Sequence, residues 1–178
     1  MAKTVYVTAE VMEQLAHRLA VAFFAEYNEP LPDFSQHDKA LLDSALALPR
    51  ATYGSRDLYP TLSAKAAIMF YGIIKNHPFP NGNKRLATAT VLVFLYLNGC
   101  WIMSEQEAIY TWAITVAQSD ARERDVVVVQ LTEWFKKRIT TKRRAKRAMT
   151  GRLDMFVRVW SLLGWLVPGY WRRRRTKK

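Results

Sequence analysis

Apolar positions along the chain recur at helical spacing over most of its length. Leu15, Leu19, Val21, Ala22 and Phe23 form one stripe, and Thr8 stands before it as a cap, which predicts a helix from Ala9 to about Glu26. The linker Tyr27-Asn28-Glu29-Pro30-Leu31-Pro32-Asp33 ends it, because each proline disfavours helix at the residue before it. Ser35-Gln36-His37-Asp38 opens a second helix through Leu48, ended by Pro49. Residues 50–60, rich in small and polar side chains, read as an exposed loop or small hairpin. A third helix is predicted from Thr61 to Asn76 and a fourth from Asn83 to Leu97, the latter stopped by Asn98-Gly99. Ser104-Glu105-Gln106-Glu107 and Asp120-Ala121-Arg122-Glu123 have capping-box spacing and start a fifth and a sixth. Val126–Val129 alone suggests a strand, but the flanking Glu123 and Leu131-Thr132-Glu133-Trp134-Phe135 favour helix. Only Val5-Tyr6-Val7 and residues 50–60 remain as short strands, so the chain reads as all-α.

Composition narrows the class. Half of the 178 residues are apolar, which excludes a disordered or collagen-like chain. The single cysteine, Cys100, permits no intramolecular disulfide and follows a helix stop, where a small buried hydrophobe is the expected role. No secretory leader is legible at the N-terminus and no apolar run has the ~18–20 residues of a membrane span, so a cytoplasmic protein is expected.

Charge divides the chain in two. Residues 1–138 carry 14 basic and 14 acidic residues, whereas 139–178 carry 13 basic residues and the single acid Asp154, which accounts for the whole net charge of +12. The expected organisation is therefore a neutral domain over 1–138 and a basic, Trp-rich helical extension over 139–178. The extension brackets an apolar stretch, Met155 to Trp171, between basic clusters. A helix packed on the body, an interfacial helix on acidic lipid at the inner membrane face, an RNA contact and a self-docking inhibitory segment are the readings it allows.

The segment with chemistry in it is His77-Pro78-Phe79-Pro80-Asn81-Gly82-Asn83-Lys84-Arg85. Its prolines stop helix propagation and Gly82 permits a backbone conformation closed to other residues, so a tight loop joins two apolar helices. A helix beginning near Asn83 presents N–H groups with no partner inside the helix, and its dipole favours an anion there. Lys84 and Arg85 in that first turn oppose the dipole. A phosphate compensates both, gripped by the planar fork of Arg85 and the mobile charge of Lys84. Histidine, with an ordinary pKa near ~6.5, can take a proton at neutral pH, and His77 stands at the opposite lip. A base beside a phosphate cradle is what phosphoryl or nucleotidyl transfer to a hydroxyl needs. Taken singly, a histidine in a Pro-Gly loop is a turn residue and Lys-Arg on a helix is solvated surface. Their placement around one loop is what favours chemistry.

This run resembles the Fic/Doc signature, in which His-x-Phe-x-Asp/Glu-Gly/Ala-Asn is followed by Gly-Arg in Fic enzymes and by Lys-Arg in death-on-curing (Doc) toxins. The sequence is similar to the Doc version over about residues 6–138. The resemblance implies a Fic/Doc helical bundle with a target-docking flap at residues 50–60. It implies His77 as the base for the target hydroxyl and Phe79 as the buried anchor of the loop. Gly82, Asn83, Lys84 and Arg85 would hold nucleotide phosphates. It further implies a toxin that moves the γ-phosphate of ATP to a Ser or Thr hydroxyl of a protein such as elongation factor Tu, with Mg2+, halting translation under the control of a small Phd-type antitoxin.

Two positions depart from the family pattern. Asn81 stands where the family carries the acidic residue that helps hold Mg2+, which lowers the expected metal affinity. Thr88 stands where Fic enzymes carry a second arginine, consistent with Doc. No Ser/Thr-x-x-x-Glu-Gly/Asn inhibitory run occurs, so restraint would come from a separate partner. A Fic-type AMP transferase and a catalytically inactive Fic/Doc scaffold for a partner or membrane are the competing readings.

Overall fold

The computed structural model describes residues 4–23, 30–104 and 106–148. The extension beyond residue 148, with the apolar stretch and its proposed lipid or RNA contacts, lies outside the described residues, as does the end of the first helix near Glu26.

The first helix is built in three pieces: α1, Ala9–Val11; a π-helical stretch, Met12–His17; and α2, Arg18–Phe23. Thr8 caps it as expected, its hydroxyl oxygen accepting from the Val11 N–H. Ser35 and Gln36 do not open the second helix. Phe34–Gln36 is a 3-10 turn capped by Asp33, and α3, Lys39–Ala47, starts at its own cap Asp38. Pro49 does not simply end α3, since it sits inside a further 3-10 turn, Leu48–Arg50, where its missing N–H costs nothing.

The expected hairpin forms. Strand β1, Thr52–Tyr53, pairs antiparallel with β2, Arg56–Asp57, through Gly54 and Ser55, both with positive φ. Thr61 then caps α4, Leu62–Asn76, and α5 runs over Asn83–Leu97, as the pattern predicts. α6 spans Gln106–Gln118 and α7 spans Arg124–Arg138, with the Asp120/Glu123 capping box formed on the 3-10 turn that leads into α7. The core centres on α4, which packs against α3, α5 and α7 and is buried along its whole length from Ser63 to Ile74 apart from the half-buried Ala64. Phe70, Phe94, Phe135 and Trp101 fill the space around it. The fold is all-α, with two small two-stranded sheets among the described residues.

The strands correct the sequence expectation. Val5–Val7 forms no strand; the side-chain amide of Asn98 instead accepts the Val5 N–H at 2.9 Å and donates to the Val5 carbonyl at 2.8 Å. A strand pair appears that periodicity did not show: β3, Cys100–Ile102, pairs antiparallel with β4, Ile139–Thr141. β4 leads into α8, Lys142–Ala148, whose Ala145 is fully buried. Packing therefore does not part between residues 138 and 139 but continues into the start of the basic extension. Among the described residues no helix is long and apolar enough to cross a membrane.

Candidate active site

α4 ends at His77, which takes the left-handed conformation, φ 53° and ψ 51°. Glycine is the usual residue at such a helix end, so a histidine here accepts backbone strain. Its side chain is exposed. The chain then turns inward. The buried Pro78 offers its carbonyl to the Asp38 N–H at 2.7 Å, tying the loop to the start of α3.

Phe79 is 1 % exposed, its side chain buried beneath the loop. Its ring packs 5.6 Å from Phe34 and 5.7 Å from His37, while His17 meets Phe34 edge-on at 5.7 Å. His17 Nε2 is hydrogen-bonded to the Pro32 carbonyl at 2.8 Å, and His37 Nδ1 to the Phe34 carbonyl at 2.6 Å. His77 and His37 thus stand at this loop and at the segment packed over it, and His17, on the first helix, packs against that segment. The sequence pattern missed His17, Phe34 and His37. Asp33 and Asp38, two capping residues close together, were the only local sign that residues 33–38 fold tightly.

Asn83, 3 % exposed, is the centre of the loop. Its Oδ1 accepts the Phe79 N–H at 3.0 Å, and its Nδ2 donates to the Phe79 carbonyl at 2.7 Å and to His77 Nδ1 at 3.0 Å. The amide expected to bind phosphate is therefore occupied within the loop, because one side chain must satisfy both backbone groups of a buried residue. It joins the two lips of the site.

Gly82 precedes α5 with φ +73°, and a Cβ there would run into Leu31 Cδ2 and lie 3.4 Å from Arg85 Nη2. The first hydrogen bond of α5 joins the Leu86 N–H to the Gly82 carbonyl at 2.9 Å, so the N–H groups of Asn83, Lys84 and Arg85 lie ahead of the helical ladder. No side chain caps this end. Lys84 is exposed and Arg85 half-buried, both on the first turn. Thr88, one turn on and buried, donates its hydroxyl to the Lys84 carbonyl.

Asn81 Oδ1 is buried without a hydrogen-bond partner. An orphaned amide oxygen next to the N-terminus of α5 suits a hard cation as one oxygen ligand. Among the described residues no group of three or more His, Cys, Asp or Glu could hold a metal by itself, so the phosphates of a bound nucleotide would have to supply other ligands.

Residues 6–95 match the model of the Fic/DOC family, half of the chain and the part that contains the hairpin, α4, the loop and most of α5. The chain belongs to the Fic/DOC family. Over 68 residues this Fic/DOC chain is 41% identical to the Toxin Doc of Mycolicibacterium smegmatis (strain ATCC 700084 / mc(2)155), an alignment covering 38% of this chain and 52% of that protein. The chain thus spans about half the length of the curated relative it matches. No solved structure matches it.

Proposed function

We propose that this Fic/DOC chain is a Doc-like toxin that transfers the γ-phosphate of ATP to a Ser or Thr hydroxyl of a protein, with elongation factor Tu as the first target to test. The observation that carries the reading is the clamped loop, which holds His77 on one lip and the N-terminus of α5, with Lys84 and Arg85, on the other. The likeness to a protein named Toxin Doc supports it. So does the residue after Asn83, a lysine as in Doc toxins rather than the glycine of Fic enzymes.

In this reading the α5 N–H groups and the two basic side chains hold the triphosphate. The target hydroxyl oxygen forms a bond to the γ-phosphorus while the bond to the β,γ-bridging oxygen breaks. ADP leaves with that electron pair, and the hydroxyl proton passes to His77. The exposed hairpin, with Tyr53 at 82% and Leu58 at 53% exposure near it, is the surface on which the target would dock. Asn81 Oδ1 would contribute one ligand to Mg2+, whose charge offsets that of the phosphates. A cytoplasmic location and a Phd-type antitoxin belong to the same reading, the latter because the sequence carries no inhibitory run of its own.

Intact-mass measurement of elongation factor Tu after incubation with the protein, ATP and Mg2+, beside a His77→Ala control, tests it. One added phosphate with the parent alone is expected. An added AMP would move the reaction to the α-phosphorus, as in Fic enzymes. An unchanged mass with the parent would overturn the proposed target. The neutral Asn81 favours one second reading, an inactive scaffold, which binding of ATP without transfer to any lysate protein would support.

A further inference from the structure

The two backbone groups of Phe79 fix which way round the Asn83 amide sits. Oδ1 meets an N–H and Nδ2 meets a carbonyl; turning the amide over would set donor against donor and acceptor against acceptor in a buried place. The atom facing His77 Nδ1 at 3.0 Å is therefore a nitrogen that can only donate. His77 Nδ1 must accept, so it carries no proton, and the neutral ring carries its proton on Nε2.

We propose that Asn83 is a positioning residue that locks neutral His77 in the Nε2–H tautomer, a form unable to take a proton at Nε2. This rests on the reading of His77 as the base for the hydroxyl. With Nδ1 facing Asn83, Nε2 is the nitrogen left for a substrate hydroxyl, and in the locked ring it is a donor. It can hold an anion's oxygen but cannot deprotonate an alcohol. Base action at Nε2 requires the ring to carry its proton on Nδ1, and that proton would point at the Asn83 N–H. The hydrogen bond must therefore open before transfer. Both hydrogens of Asn83 Nδ2 are already in use, one on the Phe79 carbonyl and one on His77, so the amide can donate to a phosphate only by releasing one of them. Release of His77 is the less costly of the two, because the exposed imidazole can then bond to water while the buried Phe79 carbonyl cannot. Loading the phosphate cradle and freeing the base are thus one rearrangement, and an unloaded site keeps its base masked.

The test reads the tautomer itself. The full chain, labelled with 15N-histidine, is examined by long-range 1H–15N correlation at a pH where the ring is neutral, with His77 assigned from the His77→Ala spectrum. In the parent, Nδ1 is expected at the position of an unprotonated ring nitrogen and Nε2 at that of a protonated one. Asn83→Asp should reverse the pattern, since a carboxylate accepts from Nδ1–H, and Asn83→Ala should leave an average of the two forms. A parent ring protonated on Nδ1, or an Asn83→Asp ring still protonated on Nε2, would overturn the proposal. The parent spectrum alone can decide against it should the variants fail to fold. The outcome does not depend on the mass measurement of the target: a locked tautomer with an inert His77→Ala control would leave both readings standing, whereas transfer by His77→Ala would remove the base and leave the lock.

Discussion

The ammonium of Lys65, buried on α4, lies 2.8 Å from the carboxylate of Asp57 on the second strand of the hairpin. The same nitrogen donates to the Pro49 carbonyl at 3.0 Å, and it stands 5.4 Å from the ring of Tyr6, over whose ring Arg50 also lies. One buried cation thus ties the hairpin, the turn before it and the N-terminal segment to the central helix. Replacing it by Met, similar in length and uncharged, strands a buried carbonyl and frees Asp57. Lys65→Met should cost about 1–3 kcal/mol in denaturant unfolding, and hydrogen exchange across residues 51–58 should quicken.

The pH dependence of that anchor has a definite sign. Burial by itself pushes the Lys65 ammonium down, but Asp57 and Tyr6 outweigh it and raise it above its ordinary value of 10.5. A group whose pKa is raised by folding stabilises fully below its unfolded value and loses that contribution as pH rises through the higher folded value. The stability difference between the parent and Lys65→Met should therefore hold from neutrality upward and shrink at alkaline pH, above the usual lysine range. Paired unfolding curves from neutral to alkaline pH would show it; a difference that shrinks between neutrality and about pH 9 would refute it.

Gly82 is held by its backbone more than by the space around it. The atom a Cβ would meet first is the far end of Leu31, which can rotate away, whereas φ +73° penalises any side chain. Gly82→Ala should cost about 1–2 kcal/mol through that conformation. A Leu31→Ala background should recover little of it, and full recovery would show that the clash, not the backbone, sets the cost.

At His77 stability and chemistry pull apart. The residue closes α4 in the left-handed region, where glycine is relaxed and alanine is not. His77→Gly should be more stable than His77→Ala by about 1 kcal/mol, while both lack the imidazole and should be equally inert in the transfer assay. Equal stabilities would mean that the helix end relaxes out of that conformation.

The strand pair β3–β4 predicts where the chain can be cut. A protein ending at Arg138 loses the partner of Cys100–Ile102 and uncovers the buried Trp101 and Ile102, whereas one ending at Ala148 keeps both. The shorter form should be less stable by about 2 kcal/mol, a fall of roughly 4–8 °C in Tm for a chain of this size. Matching melting curves would return the boundary to residue 138.

Much of the fold was legible in order of sequence because its signals act over one helical turn. Thr8, Thr61 and the Asp120/Glu123 pair cap the helices they precede, and α5 ends at the Asn98-Gly99 stop. The motif loop was found from its prolines, its glycine and its misplaced basic residues, each a local conflict with helix formation. The hairpin at 52–57 is legible as a loop or hairpin, since Gly54 and its polar neighbours bear on a turn of two residues.

What the sequence by itself determined, then, is the order of the main helices, several of their caps, and the nine-residue loop on which the family match rests. The tertiary structure decided how those residues spend their hydrogen bonds. The Asn83 amide is seen to be taken up by Phe79 and His77, which its place in the sequence does not show, and Val5–Val7 reads as a strand until Asn98, 93 residues away, is seen to satisfy Val5. β4 found its partner, and Phe79 its neighbours Phe34 and His37, across shorter separations that still reach well beyond one element. The physical reason is common to all of these. A buried polar group must be paired, and a buried ring must be packed. For Val5, β4 and Phe79, which partner does so depends on which distant segments the collapse of the core brings together, and that information is not held within any one stretch of the chain; for Asn83 it depends on how the motif loop folds back on itself.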